Sequence, residues 1–278
     1  LDYELIDLGE GRKLERFGDH ILDRPEVEAK GKKNNSKEWS KADYYFWEER
    51  GKKGQWRKVG VKEKSWNIRY SDRDIQCQFS LELSNYKHIG LFPEQTANWK
   101  YISERIKQMK SCRFLNLFAY TSAASIIASK AGAEVVNVEA LKQLTNWSKK
   151  NADLNKVNNV QWLTEDARTY VERAARRKDK FQGILLDPPA FGHANKGKRW
   201  IIERDLPPLM QSIQKIMDPS SCFMIINTYS PKMSLSQVDS LLLKMGLERS
   251  SFKSGNLGLE SSSNKALILG NLHRFSNF

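Results

Sequence analysis

Phe181-Gln182-Gly183-Ile184-Leu185-Leu186-Asp187-Pro188-Pro189-Ala190-Phe191-Gly192 decides the reading of this chain. The apolar run Phe181 to Leu186 predicts a buried parallel strand. Each proline after it fixes its own φ and biases the preceding residue away from helix, so Asp187 to Gly192 predicts a rigid, extended turn. In an open α/β sheet, ligands sit outside the carboxyl ends of the strands. A carboxylate, carbonyls with no helix to satisfy them and an aromatic face would therefore point at a crevice. That set suits a planar, amine-bearing group, with acceptors for the amine and Phe191 for the ring. The plainer reading is a proline-rich turn with a helix-capping Asp.

Downstream and upstream of this stretch, strand and helix patterns alternate from Cys112 onward. Strands are expected at Arg113–Phe118, Glu134–Val138, Val160–Leu163, Phe181–Leu186 and Cys222–Thr228. Helices are expected at Thr121–Ala131, Leu141–Asn155, Ala167–Arg177, Glu203–Met217 (kinked or split by Pro207-Pro208) and Ser234–Met245. Two late strands near Glu248–Lys253 and Lys265–Leu272 suggest an antiparallel end. The expected fold is a doubly wound, mostly parallel seven-stranded α/β sheet over residues 111–278. Residues 86–110 form a connecting region with a helix from Thr96 to about Met109, opened by Pro93.

Residues 1–85 differ. Short segments at Tyr3–Leu8, His20–Leu22, Asp43–Trp47 and Gln76–Leu83, separated by Gly, Asn, Asp and Pro, predict a small β-rich domain. Between Glu28 and Trp66, twelve Lys/Arg face six Asp/Glu, interleaved with Trp39, Tyr44, Tyr45, Phe46, Trp47, Trp56 and Trp66. Cations with aromatics can track a phosphate backbone and stack bases; the same aromatics can equally be a barrel core with a solvated basic rim. Lys30–Lys37 is expected as a mobile loop.

A net charge of +13 makes a polyanion, nucleic acid first, the leading partner class. No run approaches the ~18 apolar residues of a membrane span, and Leu1-Asp2-Tyr3-Glu4 lacks a signal-peptide pattern. Three widely spaced cysteines, Cys77, Cys112 and Cys222, suggest free thiols in a cytoplasmic protein and no metal site.

Acidic residues and small-residue turns recur where the strands end. Phe118-Ala119-Tyr120-Thr121-Ser122 opens a helix and lets backbone approach a ligand. Glu139 can accept from ribose hydroxyls, Asp166 from an adenine amino group, and Asp187 closes the series. Each acid alone can be a helix N-cap; in this order they favour an adenosyl ligand. The glycine motif of a dinucleotide site and a phosphate loop are both missing from the first turn, which disfavours a Rossmann oxidoreductase. S-adenosylmethionine carries no phosphate and needs neither.

Leu115-Asn116-Leu117-Phe118-Ala119-Tyr120-Thr121, Glu139, Asn151-Ala152-Asp153-Leu154-Asn155, Asp166-Ala167 and Asp187 to Gly192 resemble the class I S-adenosylmethionine-dependent methyltransferases. The group resembled is that of the RlmI- and RlmK-type large-subunit ribosomal RNA methyltransferases and their uncharacterised bacterial relatives, over about residues 85–278. The resemblance implies that Phe118, Ala119, Tyr120 and Thr121 line the methionine and sulfonium side and that Glu139 holds the ribose. It implies that Asp166 and Ala167 meet the adenine, and that Gln95 and Phe92 close the site. Asp187 would stand by the methionine amine or the target, with Pro188, Pro189 and Phe191 shaping the target pocket. Ser122 stands where the family usually has Gly, and a left-handed φ there would weaken cofactor affinity.

Carbon-5 methylation of cytosine needs an attacking thiolate. The matching stretch here, Asn227-Thr228-Tyr229-Ser230, has no cysteine. Direct in-line transfer to a base nitrogen is the expected chemistry, with Asp187 and the Pro188 carbonyl orienting an amine and an unstacked base entering the pocket. Lys196, Lys198, Arg199 and Arg204 can hold phosphates or form a solvated loop. A small-molecule or protein methyltransferase, and an RNA-binding assembly factor with a degenerate enzyme fold, are the competing readings.

Overall fold

The computed structural model describes residues 1–278 except 35, 50–52, 60–62 and 194–198. Two compact units divide the chain: Leu1–Thr96 with Gly258–Leu269, and Ala97–Leu257 with Gly270–Phe278.

The first unit holds β1 (Tyr3–Gly9), β2 (Arg12–Phe17), β3 (His20–Pro25), the short helix α1 (Ser36–Trp39), β4 (Tyr44–Glu48) and β5 (Gly54–Lys58), in sheet order β1-β2-β3-β4-β5. A second hairpin pairs β6 (Ser65–Asp72) with β7 (Ile75–Glu82). Three of the seven aromatics, Trp39, Tyr44 and Phe46, are buried core. Tyr45, Trp56 and Trp66 are half-buried, with Trp66 stacked on Tyr44 at 5.7 Å between ring centroids. The barrel-core reading therefore takes part of the cluster, and Trp47 is 65% exposed. Within Lys30–Lys37, expected as a mobile loop, residue 35 lies outside the described residues, and Lys32 and Asn34 make hydrogen bonds. Asp7 accepts from the Asn34 backbone and from Trp39 Nε1, both at 2.8 Å, and Lys265 Nζ donates to the Lys32 carbonyl at 2.6 Å. Burial alone would raise the Asp7 pKa, but the Trp39, Asn34 and Lys265 donors outweigh it and hold the carboxyl far below its usual range. A 3-10 turn at Pro93–Gln95 ends this stretch.

α2 (Thr96–Lys107) leads into the second unit: β8 (Arg113–Leu117), α3 (Ala123–Lys130), β9 (Glu134–Glu139), α4 (Lys142–Leu154), β10 (Val160–Thr164), α5 (Ala167–Arg177) and β11 (Gly183–Leu186). A small antiparallel hairpin follows, β12 (Phe191–His193) with β13 (Arg199–Ile201). Next come α6 (Ile202–Gln214), β14 (Phe223–Thr228), α7 (Leu235–Lys244), β15 (Phe252–Glu260) and β16 (Ala266–Ser276). The strands form one seven-stranded sheet, order β10-β9-β8-β11-β14-β16-β15. β8, β9, β10, β11 and β14 run parallel, and β16 is antiparallel to β14. This is the doubly wound, mostly parallel seven-stranded sheet expected from the alternating pattern. Alternate residues Leu115, Leu117, Ile184, Leu186, Met224 and Ile226 pack with α5, α6 and α7 in one apolar core. Because the chain steps one way from β8 to β9 and β10 and the other way to β11 and β14, the crevice at the carboxyl ends opens at a switch point between β8 and β11.

Some elements differ from the sequence reading: Phe191 and Gly192 join the β12–β13 hairpin where a turn was expected, and β16 runs to Ser276. α6 runs unbroken through Pro207 and Pro208. The prolines remove bonds only to carbonyls of the first turn, Glu203 and Arg204, while buried Leu206, Leu209, Met210 and Ile213 anchor the helix. The strand expected at Glu248–Lys253 begins only at Phe252, because Ser251 donates both its backbone N–H and its hydroxyl to the Glu248 carbonyl and closes a 3-10 turn.

Candidate active site

The turn after β8 carries the most unusual backbone in the chain. Phe118, Tyr120 and Ser122 have φ of 58°, 51° and 68°. Left-handed backbone at bulky residues is an outlier and costs on the order of 1–3 kcal/mol each. It persists because neighbouring groups fix it from several sides. Glu139 Oε2 accepts from the Tyr120 N–H at 2.9 Å. From one face of α4, Ser148 Oγ donates to the Tyr120 carbonyl at 3.1 Å and Asn151 Nδ2 to the Thr121 carbonyl at 3.1 Å. Ser122 does occupy a left-handed position, as the departure from glycine requires, and its hydroxyl meets Ser148 Oγ at 2.6 Å.

The N–H groups of Ala119, Tyr120 and Ser122 go to the Val138 carbonyl, Glu139 and the Ala119 carbonyl. Used internally, they cannot cradle a phosphate, so the turn fits a cofactor without one better than a dinucleotide. Glu139, at the end of β9, is buried, and burial raises its pKa against the opposing backbone N–H groups of Leu141, Tyr120 and Ala140. Its Oε1 accepts from the Leu141 N–H at 3.0 Å.

Asp166 caps α5: its Oδ1 accepts from the Arg168 and Thr169 N–H groups at 3.0 and 3.1 Å. Its Oδ2 accepts from Arg168 Nη2 at 3.3 Å. Arg168 reaches on to Asp205 of α6 at 3.2 Å and lies over the Trp200 ring at 5.6 Å. Ala167 is the buried first residue of α5.

At the end of β11 the Asp187 carboxyl takes hydrogen bonds from Asn227 Nδ2 at 3.1 Å and from Tyr229. Burial raises its pKa to about 6, and the Asn227 and Tyr229 donors moderate that rise. The carbonyls of the turn are less open than expected. Trp200 Nε1 donates to the Pro189 carbonyl at 2.7 Å, and the Ile202 N–H to that of Ala190 at 3.1 Å. Among the described residues no donor reaches the Pro188 carbonyl. Phe191 is 51% exposed, and Trp200 packs against Phe118 at 4.9 Å between centroids. Thus Phe118, Trp200, Pro189 and Arg168 form one wall joining the β8 and β11 turns. Arg199 is exposed on β13; Lys196 and Lys198 lie outside the described residues. Gln95 is buried in the first unit's 3-10 turn.

None of the three cysteines lies at the carboxyl end of a sheet strand. Cys112 and Cys222 precede β8 and β14 at the opposite end, and burial pushes both thiols up to about 12. Residues that the sequence reading did not single out complete the site: Asn151 and Ser148 behind the first turn, and Asn227, Trp200 and Arg168 around the last. Asn151 and Asn227 lay within quoted stretches, whereas the others had no local signal.

The sequence model for S-adenosylmethionine-dependent methyltransferases matches residues 55–237, well over half of the chain. The ribosomal RNA large subunit methyltransferase K/L of Pseudoalteromonas translucida is 32% identical over 158 residues, 55% of this chain and 22% of that protein. The chain thus spans about a fifth of the length of the curated relatives it matches. The solved S-adenosylmethionine-dependent methyltransferase of Agrobacterium tumefaciens is 28% identical, with a TM-score of 0.92 over 100% of this chain and 91% of its own. A putative methyltransferase of Streptococcus mutans shares the fold at 16% identity, with a TM-score of 0.76 over 99% of this chain and 75% of its own. No described helix is long and apolar enough to cross a membrane. With S-adenosylmethionine as its methyl donor, the chain belongs to the S-adenosylmethionine-dependent methyltransferases, related to the large-subunit ribosomal RNA enzymes.

Proposed function

We propose that this methyltransferase acts on a nitrogen of a base in RNA, ribosomal RNA first, by direct in-line transfer. The carrying observation is the Asp187-Pro188 turn: a carboxylate fixed by two donors, a carbonyl that no described donor reaches, and an exposed aromatic ring at Phe191. S-adenosylmethionine, when bound, supplies a methyl group already activated on a sulfonium. Phe118 to Thr121 would hold its methionine end, Glu139 the ribose, and Asp166 with Ala167 the adenine edge. Phe191 stacks the unstacked base, and Asp187 and the Pro188 carbonyl accept the N–H groups of its amine. As nitrogen gains the methyl group, the ionised Asp187 takes the displaced proton. The place of Cys112 and Cys222 at the amino ends of β8 and β14, away from the carboxyl ends, supports the non-covalent route.

Support for RNA comes from the charge of +13 and from the first unit, where Trp47, Glu49, Gln55, Trp56 and Arg57 line an open groove of about 450 Å³. The matched relatives' printed substrate, large-subunit ribosomal RNA, points the same way. The test has two arms. Calorimetry with S-adenosylhomocysteine should show binding that weakens in Asp166→Ala and Glu139→Ala. Tritiated S-adenosylmethionine with ribosomal RNA from cells lacking this gene should label RNA, and Asp187→Ala should abolish the label. Binding without RNA label overturns the RNA reading in favour of a small-molecule or protein substrate; no binding overturns the site.

A further inference from the structure

Asp187 is the end of a hydrogen-bonded chain that begins at a cation on another strand. Arg274 of β16 donates to Asn98 Oδ1 of α2 through Nη2 at 2.8 Å and Nε at 3.3 Å. Asn98 Nδ2 donates to Asn227 Oδ1 of β14 at 3.1 Å. Asn227 Nδ2 donates to Asp187 Oδ1 at 3.1 Å. Arg274 Nη2 is also held by the Ala97 carbonyl at 2.8 Å.

The direction of this chain is fixed from both ends, since a guanidinium only donates and an ionised carboxylate only accepts. A carboxamide can present either its oxygen or its nitrogen to a neighbour, and the two look alike in shape. A guanidinium can only donate. Arg274 therefore requires the Asn98 oxygen, which turns the Asn98 nitrogen to Asn227, which turns the Asn227 nitrogen to Asp187. Asn98 and Asn227 are both 0% exposed, so solvent cannot satisfy the reversed arrangement. Aligned head to tail, the two amide dipoles reinforce each other. A polar, fully buried Asn227 in a strand that otherwise reads Phe223-Met224-Ile225-Ile226 is costly unless every bond is made.

We propose that Arg274 and Asn98 are positioning residues for methyl transfer, holding the Asn227 carboxamide with its N–H groups toward Asp187 so that the carboxylate meets the target amine in one fixed orientation. This rests on the reading of Asp187 as the target-binding group. Tethering α2 to β16 does not need the chain, because the Arg274–Ala97 bond already does so.

The variants are Asn98→Asp, Arg274→Met and Arg274→Lys in the full protein. Asn98→Asp keeps the partner of Arg274 but removes the donor to Asn227 Oδ1, so the Asn227 carboxamide lies between two carboxylates and no bond at its oxygen fixes its orientation. Expected are a lowered thermal midpoint in Asn98→Asp from the lost buried bond, unchanged affinity for S-adenosylhomocysteine, and single-turnover transfer to ribosomal RNA slowed about tenfold or more, as in Arg274→Met. Arg274→Lys, also a pure donor, should recover transfer to within about threefold. In nitrogen-15 spectra the Asn227 side-chain amide should exchange slowly in the wild type and Arg274→Lys, and shift and exchange faster in Arg274→Met. Wild-type transfer by Asn98→Asp, or an Asn227 amide unmoved in Arg274→Met, overturns the proposal. Failure of the underlying reading has a separate signature: Asp187→Asn transferring at the wild-type rate while the Asn227 amide still responds to Arg274→Met, which removes the role in transfer and leaves the orientation standing.

Discussion

Ser122 shows how a residue that departs from glycine can keep a left-handed turn. The backbone at φ 68° costs an L-residue roughly 1–2 kcal/mol, and the hydroxyl bond to Ser148 offsets part of that. Ser122→Ala keeps the strain and loses the bond, so it should destabilise by about 1 kcal/mol. Ser122→Gly loses the bond and relieves the strain, and denaturant titration should find it within about 0.5 kcal/mol of wild type. Asp187 carries a pH signature. Its native pKa, raised from 3.8 to about 6, exceeds the unfolded one, so its contribution to stability is full below 3.8 and is lost as pH rises through about 6. Asp187→Asn should therefore melt higher than wild type above pH 6, with the two converging in acid. Methyl transfer by the wild type should rise with pH through about 6, because only the ionised form accepts both an amine N–H and its proton.

Among the elements, β11 is closely hemmed in at its first residue. A Cβ on Gly183 would come within 2.6 Å of the Phe114 ring and 2.7 Å of the Phe223 ring, its register partners on β8 and β14. Gly183→Ala should destabilise by about 1–3 kcal/mol through overpacking, read as a lower denaturant midpoint with an unchanged slope. The strands and helices of the second unit were legible because each has an apolar face of fixed period. Their ends were less so: α6 crosses two prolines, and β15 starts four residues later than its pattern suggested, since side-chain to backbone bonds set those boundaries.

For the whole molecule, the charge of +13 and the Trp47 groove belong together. RNA affinity should fall on the order of tenfold or more as salt rises from about 50 to 200 mM, since counterion release drives it. Trp47→Ala should weaken RNA binding by about 1 kcal/mol or more, the usual worth of one stacked base. Its affinity for S-adenosylhomocysteine should stay at the wild-type value, and gel-shift and calorimetry read the two separately.

The sequence by itself determined the doubly wound sheet and set Glu139, Asp166 and Asp187 at strand ends, because periodicity and strand-end position are local properties of the chain; the cofactor class came with the family resemblance. The sequence did not determine what those acids touch. That Glu139 holds the Tyr120 N–H, that Arg168 runs from Asp166 to Asp205, and that Trp200 closes the Pro189 carbonyl depend on residues brought from elsewhere in the chain. The Arg274–Asn98–Asn227–Asp187 series is the clearest case. Its members are 176, 129 and 40 positions apart, pairwise along the chain. A hydrogen bond is set by distances of about 3 Å and by donor direction, and only the packed sheet brings those four side chains within that reach.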